Sequence, residues 1–368
     1  MTVKYVNLSK QWNYERKDLL GIIDNQILKG DWVNGSEIEK FEKKITKICK
    51  TKYCVALNSG TDALVLGLMS LNVKRGDEVI TTSNSFIAST AAIVHIGAKP
   101  VFVDVSDDQN IDANKIEKKI TSKTKAIMPV HLTGRVSNMK KIIQISKKYK
   151  IPVIEDAAQS IGSKLYSNPS GSFGDIGCFS AHALKNLNAI GDSGYLVTNN
   201  YNYYKKVKSM RNHGMENRNI IKSFGYVSRM DNLQATVLNY RIKNLEKIIS
   251  SRRYNANLYL DILDNKNVFI PREKDYEFNT YHTFVVQVEK RKKLIDYLIS
   301  KKIETAIHYP IPIHLQPCSK SFGYTRGSLP KTERQAKKIL TLPINQYLSK
   351  KNVVYVAKSI NEFYRTYI

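Results

Sequence analysis

Val153 to Gln159 reads VIEDAAQ, and Phe179 to Gly194 reads FSAHALKNLNAIGDSG. The first stretch is an apolar strand that ends on an acid, Asp156. The second places Lys185 in a turn ringed by Ser, His, Asn and Gly, where Gly191 and Gly194 permit a tight bend. Outward from this pair, short apolar runs alternate with helical segments. Tyr53–Leu57, Glu78–Thr82, Pro100–Asp104, Ala126–Pro129 and Pro152–Glu155 read as strands, with helices between them over 61–72, 86–96, 114–121 and 137–149. Ile176–Ser180 and Tyr195–Thr198 read as further strands, and a long helix over 230–245 closes the unit. Residues 36–50 read as an amphipathic helix: Ser36 and Glu39 form a capping box, and Ile38, Phe41, Ile45 and Ile48 make one apolar stripe. Such alternation predicts an α/β fold with a mainly parallel sheet covered by helices on both faces. Beyond about residue 250 the pattern changes. Val268–Ile270 and His282–Val288 read as strands, while 292–301, 333–339 and 351–364 read as helices, which predicts a smaller α+β domain.

The chain has 368 residues, 42% of them hydrophobic, enough for a large core and two domains. No uncharged apolar run is long enough for a membrane span, so no membrane association is expected. The start, MTVKYVNLSKQW, lacks the apolar core and small-residue cleavage site of a signal peptide, and the expected location is the cytoplasm. Cys49, Cys54, Cys178 and Cys318 show no paired spacing, which favours reduced core thiols over disulfides or a metal. The net charge of +26 allows two readings, a lysine-rich solvated surface or an electropositive mouth that steers a polyanionic substrate. With no basic stripe interleaved with aromatics and no recognition-helix pattern, a nucleic-acid partner is not expected.

An acid at a strand end and a lysine in a small-residue turn are what pyridoxal phosphate chemistry needs. The lysine holds the cofactor as a Schiff base, and the carboxylate keeps the pyridine nitrogen protonated so that the ring accepts electrons. The two stretches together resemble the DegT/StrS family of PLP-dependent sugar aminotransferases, from the Gly30–Gly35 segment to the Leu342-Pro343-Ile344 tail. That resemblance implies the aspartate-aminotransferase fold. It also implies a division into residues 1–35 packing with the small domain, 36–248 as the PLP-binding domain and 249–368 as the small domain. A homodimer with active sites at the subunit interface is expected.

The resemblance assigns roles residue by residue. Asn58-Ser59-Gly60-Thr61-Asp62 opens a helix; an ordinary N-cap would look the same, but the matching family segment holds the cofactor phosphate through Gly60 and Thr61. Ser180 matches a serine that donates to that phosphate. Phe86, in SNSFIAST, matches the aromatic that stacks on the ring. Gln159 is expected to meet the phenolic oxygen, sharing a helix face with Asp156. Desolvation should draw the Lys185 amine toward the reactive range. His182 matches a position on the substrate side, with a structural hydrogen bond as the competing account. GYVSRMDNLQ, from Gly225 to Gln234, resembles GYNxRMxxLQ, in which a partner subunit's asparagine reaches the phosphate. Val227 stands there and cannot donate, leaving Ser228 or Arg229 to substitute; Arg229 matches the family arginine and is also a candidate for substrate. Ile307 to Gln316 reads IHYPIPIHLQ, a form found in transaminases that make dTDP-linked 3-amino-3,6-dideoxyhexoses, so His308, Tyr309 and His314 are candidate sugar contacts.

The expected activity is amino transfer from glutamate to a nucleotide-linked 3-keto-6-deoxyhexose, feeding surface polysaccharide, lipopolysaccharide or other glycan synthesis. Amination at carbon 4, a UDP or GDP carrier, a related PLP dehydratase and a non-enzymatic basic regulator are the competing readings. In the dehydratase branch a histidine replaces the lysine, so Lys185 argues against it.

Overall fold

The computed structural model describes residues 2–367. Its elements run α1 (Leu8–Leu28), α2 (Ser36–Cys49), β1 (Tyr53–Leu57), α3 (Gly60–Ser70), β2 (Glu78–Thr82), α4 (Ile87–His95), β3 (Lys99–Val103), β4 (Thr124–Ile127), α5 (Met139–Tyr149), β5 (Ile154–Asp156), β6 (Ile176–Ser180), β7 (Gly194–Thr198) and α6 (Tyr201–Met210). They continue with α7 (Asn232–Arg241), α8 (Leu245–Ile262), β8 (Val268–Phe269), β9 (Phe284–Val288), α9 (Arg291–Ser300), α10 (Pro330–Lys338), β10 (Ile339–Leu342) and α11 (Lys350–Tyr367).

The large sheet runs β3-β2-β4 on one side and β5-β6-β7-β1 on the other. Parallel bridges from Ile127 to Val153 and from Val130 to Asp156 join the two halves. Only β7 opposes its neighbours, pairing antiparallel with β1 and β6. The strands are short apolar runs because helices cover both faces. α3 is buried nearly all round and lies so close to the sheet that a Cβ on Gly67 would stand 2.7 Å from Ile154 Cδ1. α2 buries Ile38, Phe41, Ile45 and Cys49, as its stripe predicts. The capping box does not form: Gly35 is the N-cap and no side chain caps the helix, so Ser36 is already helical. A Cβ at Gly35 would fall 2.3 Å from Asn232 Nδ2, which accounts for glycine there. Cys49, Cys54 and Cys178 are buried thiols, whereas Cys318 is exposed rather than in the core.

The smaller unit packs α8, α9 and α11 around the β8-β9-β10 sheet, with Tyr259, Phe284, Leu298, Leu340 and Phe363 at its centre. The segment over 339–342, partly expected as helix, is the strand β10 paired with β9. The division at 248/249 falls inside the continuous helix α8. Leu245 and Ile249 of that helix pack in the large-domain core, and Ala256 and Tyr259 pack in the small one. The first thirty-five residues also divide. Val3 bridges to Ile303 of the small unit, but α1 packs against α7 of the large one. Polar contacts hold α1 there: Glu15 Oε2 accepts from Arg241 Nε at 3.0 Å and Nη2 at 2.7 Å, while Nη1 donates to the carbonyls of Asn188 and Ala189. Among the described residues no helix is long and apolar enough to cross a membrane.

Arg241 is buried, so removing its only carboxylate leaves an uncompensated charge. Glu15→Ala is expected to lose about 3 kcal/mol of unfolding free energy in urea titration, and Glu15→Gln less. A loss below about 0.5 kcal/mol, the scale of an exposed pair, would show that α1 is not anchored through this contact.

Candidate active site

The carboxyl ends of β5 and β6 lie side by side and deliver the two residues singled out first. Asp156 is the last residue of β5 and is buried. Its Oδ2 accepts from Ser89 Oγ at 2.6 Å, and its Oδ1 accepts from the Ala158 amide at 3.1 Å. Glu155 points the other way, as strand alternation requires. Its carboxylate takes the amides of Gly171, Phe173 and Gly174 and meets His131 Nε2 at 2.8 Å, locking the strand end from behind. No helix follows β5. Residues 157–162 form turns, with Ser160 N–H donating to Ala157 O, so Asp156 and Gln159 share a turn rather than a helix face. Gln159 Oε1 accepts from the Thr133 amide at 2.8 Å, and its side chain meets the Tyr309 hydroxyl.

Lys185 follows β6 in a loop tied across itself. Ala181 N–H donates to Ser193 O, Ala189 N–H to Ala181 O and Ala183 N–H to Gly191 O, with Gly191 at a φ of +114°. Asn186 Nδ2 reaches Thr280 O, Asn188 Nδ2 reaches Gln11 Oε1, and Ile190 N–H reaches Gln234 Oε1. Leu187 is buried, but Leu184 and Ile190 are exposed, so the flanks are less enclosed than their apolarity suggests. Burial draws the Lys185 amine down from 10.5 to about 8, against the opposing pull of Asp156.

Three segments meet at the start of α3. The Ser59 hydroxyl takes the Asp62 amide and the Ser59 carbonyl takes that of Ala63, so helix geometry leaves the Gly60 and Thr61 amides without intrahelical acceptors. A Cβ at Gly60 would lie 2.7 Å from Ser180 Cβ, and one at Gly194 would lie 2.3 Å from the Ser59 carbonyl carbon. The result is a side-chain-free cradle at a helix N-terminus with the Ser180 hydroxyl at its edge, suited to a phosphate. Phe86, the N-cap of α4, is 56% exposed with its ring 6.1 Å from that of Tyr309, as an aromatic awaiting a flat ligand would be. The residues present therefore fit a pyridoxal phosphate.

The remaining candidates divide. Burial, and then the nearby charge of Lys185, hold His308 below its ordinary value, and its Nδ1 lies 2.9 Å from Thr341 Oγ1. Burial and the charge of Asp156 push the Tyr309 hydroxyl up. His182 lies beside the lysine, its Nδ1 taking the Leu184 amide and its carbonyl the Lys185 amide. The Ser228 hydroxyl donates to Asn58 Oδ1 of the same chain at 3.1 Å, and Arg229 Nη1 to Asn212 Oδ1. Val227 is exposed. His314 requires correction as a ligand-facing residue. It is enclosed, with Nδ1 2.7 Å from Ser83 Oγ and Nε2 3.1 Å from Glu333 Oε1, and it clamps the loop carrying Phe86 to α10. Three residues of the site went unread in the sequence: Ser89, Arg252 and His282. Ser89 was legible as one helical turn beyond Phe86; the other two sit in no motif.

This chain belongs to the DegT/DnrJ/EryC1/StrS aminotransferase family, whose model matches residues 15–361. It is 38% identical to a dTDP-3-amino-3,6-dideoxy-alpha-D-galactopyranose transaminase of Aneurinibacillus thermoaerophilus, over 92% of this chain and 93% of that one. It is 36% identical to a pleiotropic regulatory protein of Geobacillus stearothermophilus over 99% of both chains. Among solved structures, DesV of S. venezuelae in complex with a ketimine intermediate superposes with a TM-score of 0.96 at 32% identity, covering 98% of each chain. The protein is thus a transaminase of the fold expected, and its cofactor is pyridoxal 5'-phosphate, an electron sink when bound.

A neutral amine is the form that captures an aldehyde, so the rate at which the apoprotein takes up pyridoxal phosphate should rise with pH through a midpoint at about 8 and level off above it. Because Asp156 favours the charged amine, Asp156→Asn should move that midpoint downward. Borohydride trapping followed by peptide mapping reads both. A midpoint near 10.5, or label on another lysine, would refute the assignment of Lys185.

Proposed function

We propose that the chain moves an amino group from glutamate to a dTDP-linked 3-keto-6-deoxyhexose, making a 3-amino-3,6-dideoxy sugar for surface polysaccharide or lipopolysaccharide. The observation that carries this reading is the placement of His308 and Tyr309, from the HYPIPIHLQ segment, beside Lys185, Asp156 and Gln159. The activity of the A. thermoaerophilus relative supports it.

The cofactor would rest with its phosphate on the Gly60 and Thr61 amides and the Ser180 hydroxyl, its ring against Phe86, its pyridine nitrogen on Asp156 and its phenolic oxygen near Gln159. Lys185 would hold it covalently and, once released, move the proton between substrate carbon and cofactor carbon. Its amine suits that role because it titrates at about 8, between the two states it must visit. His182, His308 and Tyr309 would orient the sugar. Arg229 and Ser228, bonded to Asn212 and Asn58, would stand toward the phosphate end. From there they would contribute a charge and a hydroxyl in place of the donor that Val227 lacks.

A homodimer with shared sites is part of the proposal. Exposed Ile190 on the lysine loop, and Ile220, Ile221, Phe224, Tyr226 and Val227 ahead of α7, are apolar side chains that a second copy would cover. The cytoplasm is the compartment proposed, where nucleotide sugars are made. The regulatory description of the G. stearothermophilus relative carries less weight, because Lys185 and Asp156 are held here in a geometry that regulation alone does not require.

The test is incubation with glutamate and a panel of dTDP-, UDP- and GDP-linked ketosugars, with products read by mass and NMR. A dTDP-linked amine at carbon 3 is expected, and Lys185→Ala should lower turnover by at least about 10^3-fold with an unchanged circular dichroism spectrum. Amination at carbon 4, preference for UDP or GDP, or a dehydrated product would each overturn the substrate assignment.

A further inference from the structure

A cavity of about 90 Å3 opens beside Lys185, between the lysine loop, the N-terminal segment at 5–8 and the 344–347 segment. It has room for several waters or a short acid chain. Arg252, His282, Thr283, His308 and Asn345 contribute to its wall. Three of its buried polar atoms have no hydrogen-bond partner: Arg252 Nε, His282 Nδ1 and Thr283 Oγ1.

Arg252 is the informative member. Three arginines are buried among the described residues, and two meet carboxylates: Arg135 with Glu277 and Arg241 with Glu15. Arg252 meets none. Its Nη1 donates to the carbonyls of Tyr281 and His282 at 3.2 and 3.1 Å, and its Nη2 donates to Gln346 Oε1 at 3.1 Å, all neutral acceptors. A buried guanidinium without a counter-charge is costly, and a fold rarely keeps one without a ligand or partner to offset it. The surroundings add to the cost. Burial, then Lys185, Arg252, His308 and His182, hold His282 well below its ordinary value, so the wall is a cluster of cationic or would-be cationic groups. Burial also draws Arg252 itself down to about 10.

We infer that this cavity seats a carboxylate of the amino donor, with Arg252 as its counter-ion and Thr283 as a hydroxyl donor, which rests on the aminotransferase reading above. An amino acid that exchanges its amine at the cofactor must take the place of the Lys185 amine. A carboxylate lodged beside that amine would satisfy Arg252 and orient the amino group toward the reacting carbon. It would also supply a negative charge to a wall that, among the described residues, carries Lys185 and Arg252 and no acid.

The experiment uses the holoenzyme and glutarate, a dicarboxylate with no amine, against its uncharged diamide, with binding measured by calorimetry. Glutarate should bind at least about tenfold tighter than the diamide, the scale of one charge-assisted pair. Arg252→Gln should lose that preference and raise half-saturation for glutamate in the first half-reaction by about tenfold or more, while the pyridoxamine form still reacts with ketosugar. If Arg252→Gln fails to fold, Thr283→Val, which removes one hydroxyl and little volume, should weaken glutarate by about three- to tenfold. Equal binding of glutarate and diamide, or glutamate half-saturation within about twofold of wild type in a folded variant, would overturn the inference. Loss confined to the ketosugar half-reaction would give the seat to the sugar and overturn it too. A wild-type enzyme that binds glutarate through Arg252 but reacts with no amino acid would instead sink the aminotransferase reading and leave the carboxylate seat standing.

Discussion

Lys185 must be taken out of water far enough to lose its proton near neutrality, yet stay where a single carboxylate can act on it, and the rest of the structure depends on that compromise. Burial pulls the amine down and Asp156 pulls it back up, with burial the larger effect. Neither influence survives if the loop moves, because desolvation depends steeply on depth and the Coulomb term on separation. Anchors distant in sequence fix the loop accordingly. Asn186 ties it to Thr280 at the small-domain junction, Asn188 to Gln11 of α1, and Ile190 to Gln234 of α7. Arg241 then binds Glu15 and two carbonyls of the loop at once, so α1, α7 and the lysine segment share one buried charge.

A second constraint is steric and belongs to the backbone. The ends of β1 and β6 and the start of β7 come together where α3 begins, closer than side chains allow. Gly194 meets the Ser59 carbonyl and Gly60 meets Ser180 at distances no Cβ could occupy. What this close approach creates is a patch of unshielded amides at the positive end of an eleven-residue helix, rigid because β1, β6 and β7 are hydrogen-bonded neighbours. The cradle at the start of α3 is therefore set by sheet topology, and the lysine and aspartate are set by the same strand ends.

That shared origin explains what was legible in the sequence. β1, β2 and β6 are short runs rich in apolar and β-branched residues bounded by turn residues, and their limits were readable to the residue. Lys185, Asp156, Gly60 and Phe86 sit in compact local motifs, so their neighbours in sequence are their neighbours in space. The helix α1 left no such trace. Its inward face is Gln11, Glu15, Leu19 and Gln26, a polar stripe that makes sense only once Arg241, Asn188 and Asp31 are in place. The ionic partner of a helix face cannot be read from that helix. The start of β10 resembled a helix end because its partner strand β9 lies more than fifty residues away. His314 shows the opposite error. Its motif suggested a ligand contact, but the prolines stiffen the segment so that His308 and Tyr309 face the cleft while His314 turns inward to Ser83 and Glu333.

Arg252 and His282 belong to neither class, and their silence in the sequence follows from what they do. Arg252 is one of two adjacent arginines on α8; Arg253 finds Glu273 and the face of Phe278, whereas Arg252 points to the junction and finds only carbonyls and an amide. Sequence composition cannot separate the two, since both sit on the same helix with the same neighbours. The separation comes from α8 crossing between the two cores, which turns one arginine toward solvent-facing acid and the other toward the lysine cavity. A helix that spans both cores thus carries a cation to the boundary between them, where the large unit places the Lys185 amine and α8 places a charge without a counter-charge. The chemistry of amino transfer needs both, because an amino acid presents an amine to be exchanged and a carboxylate to be held.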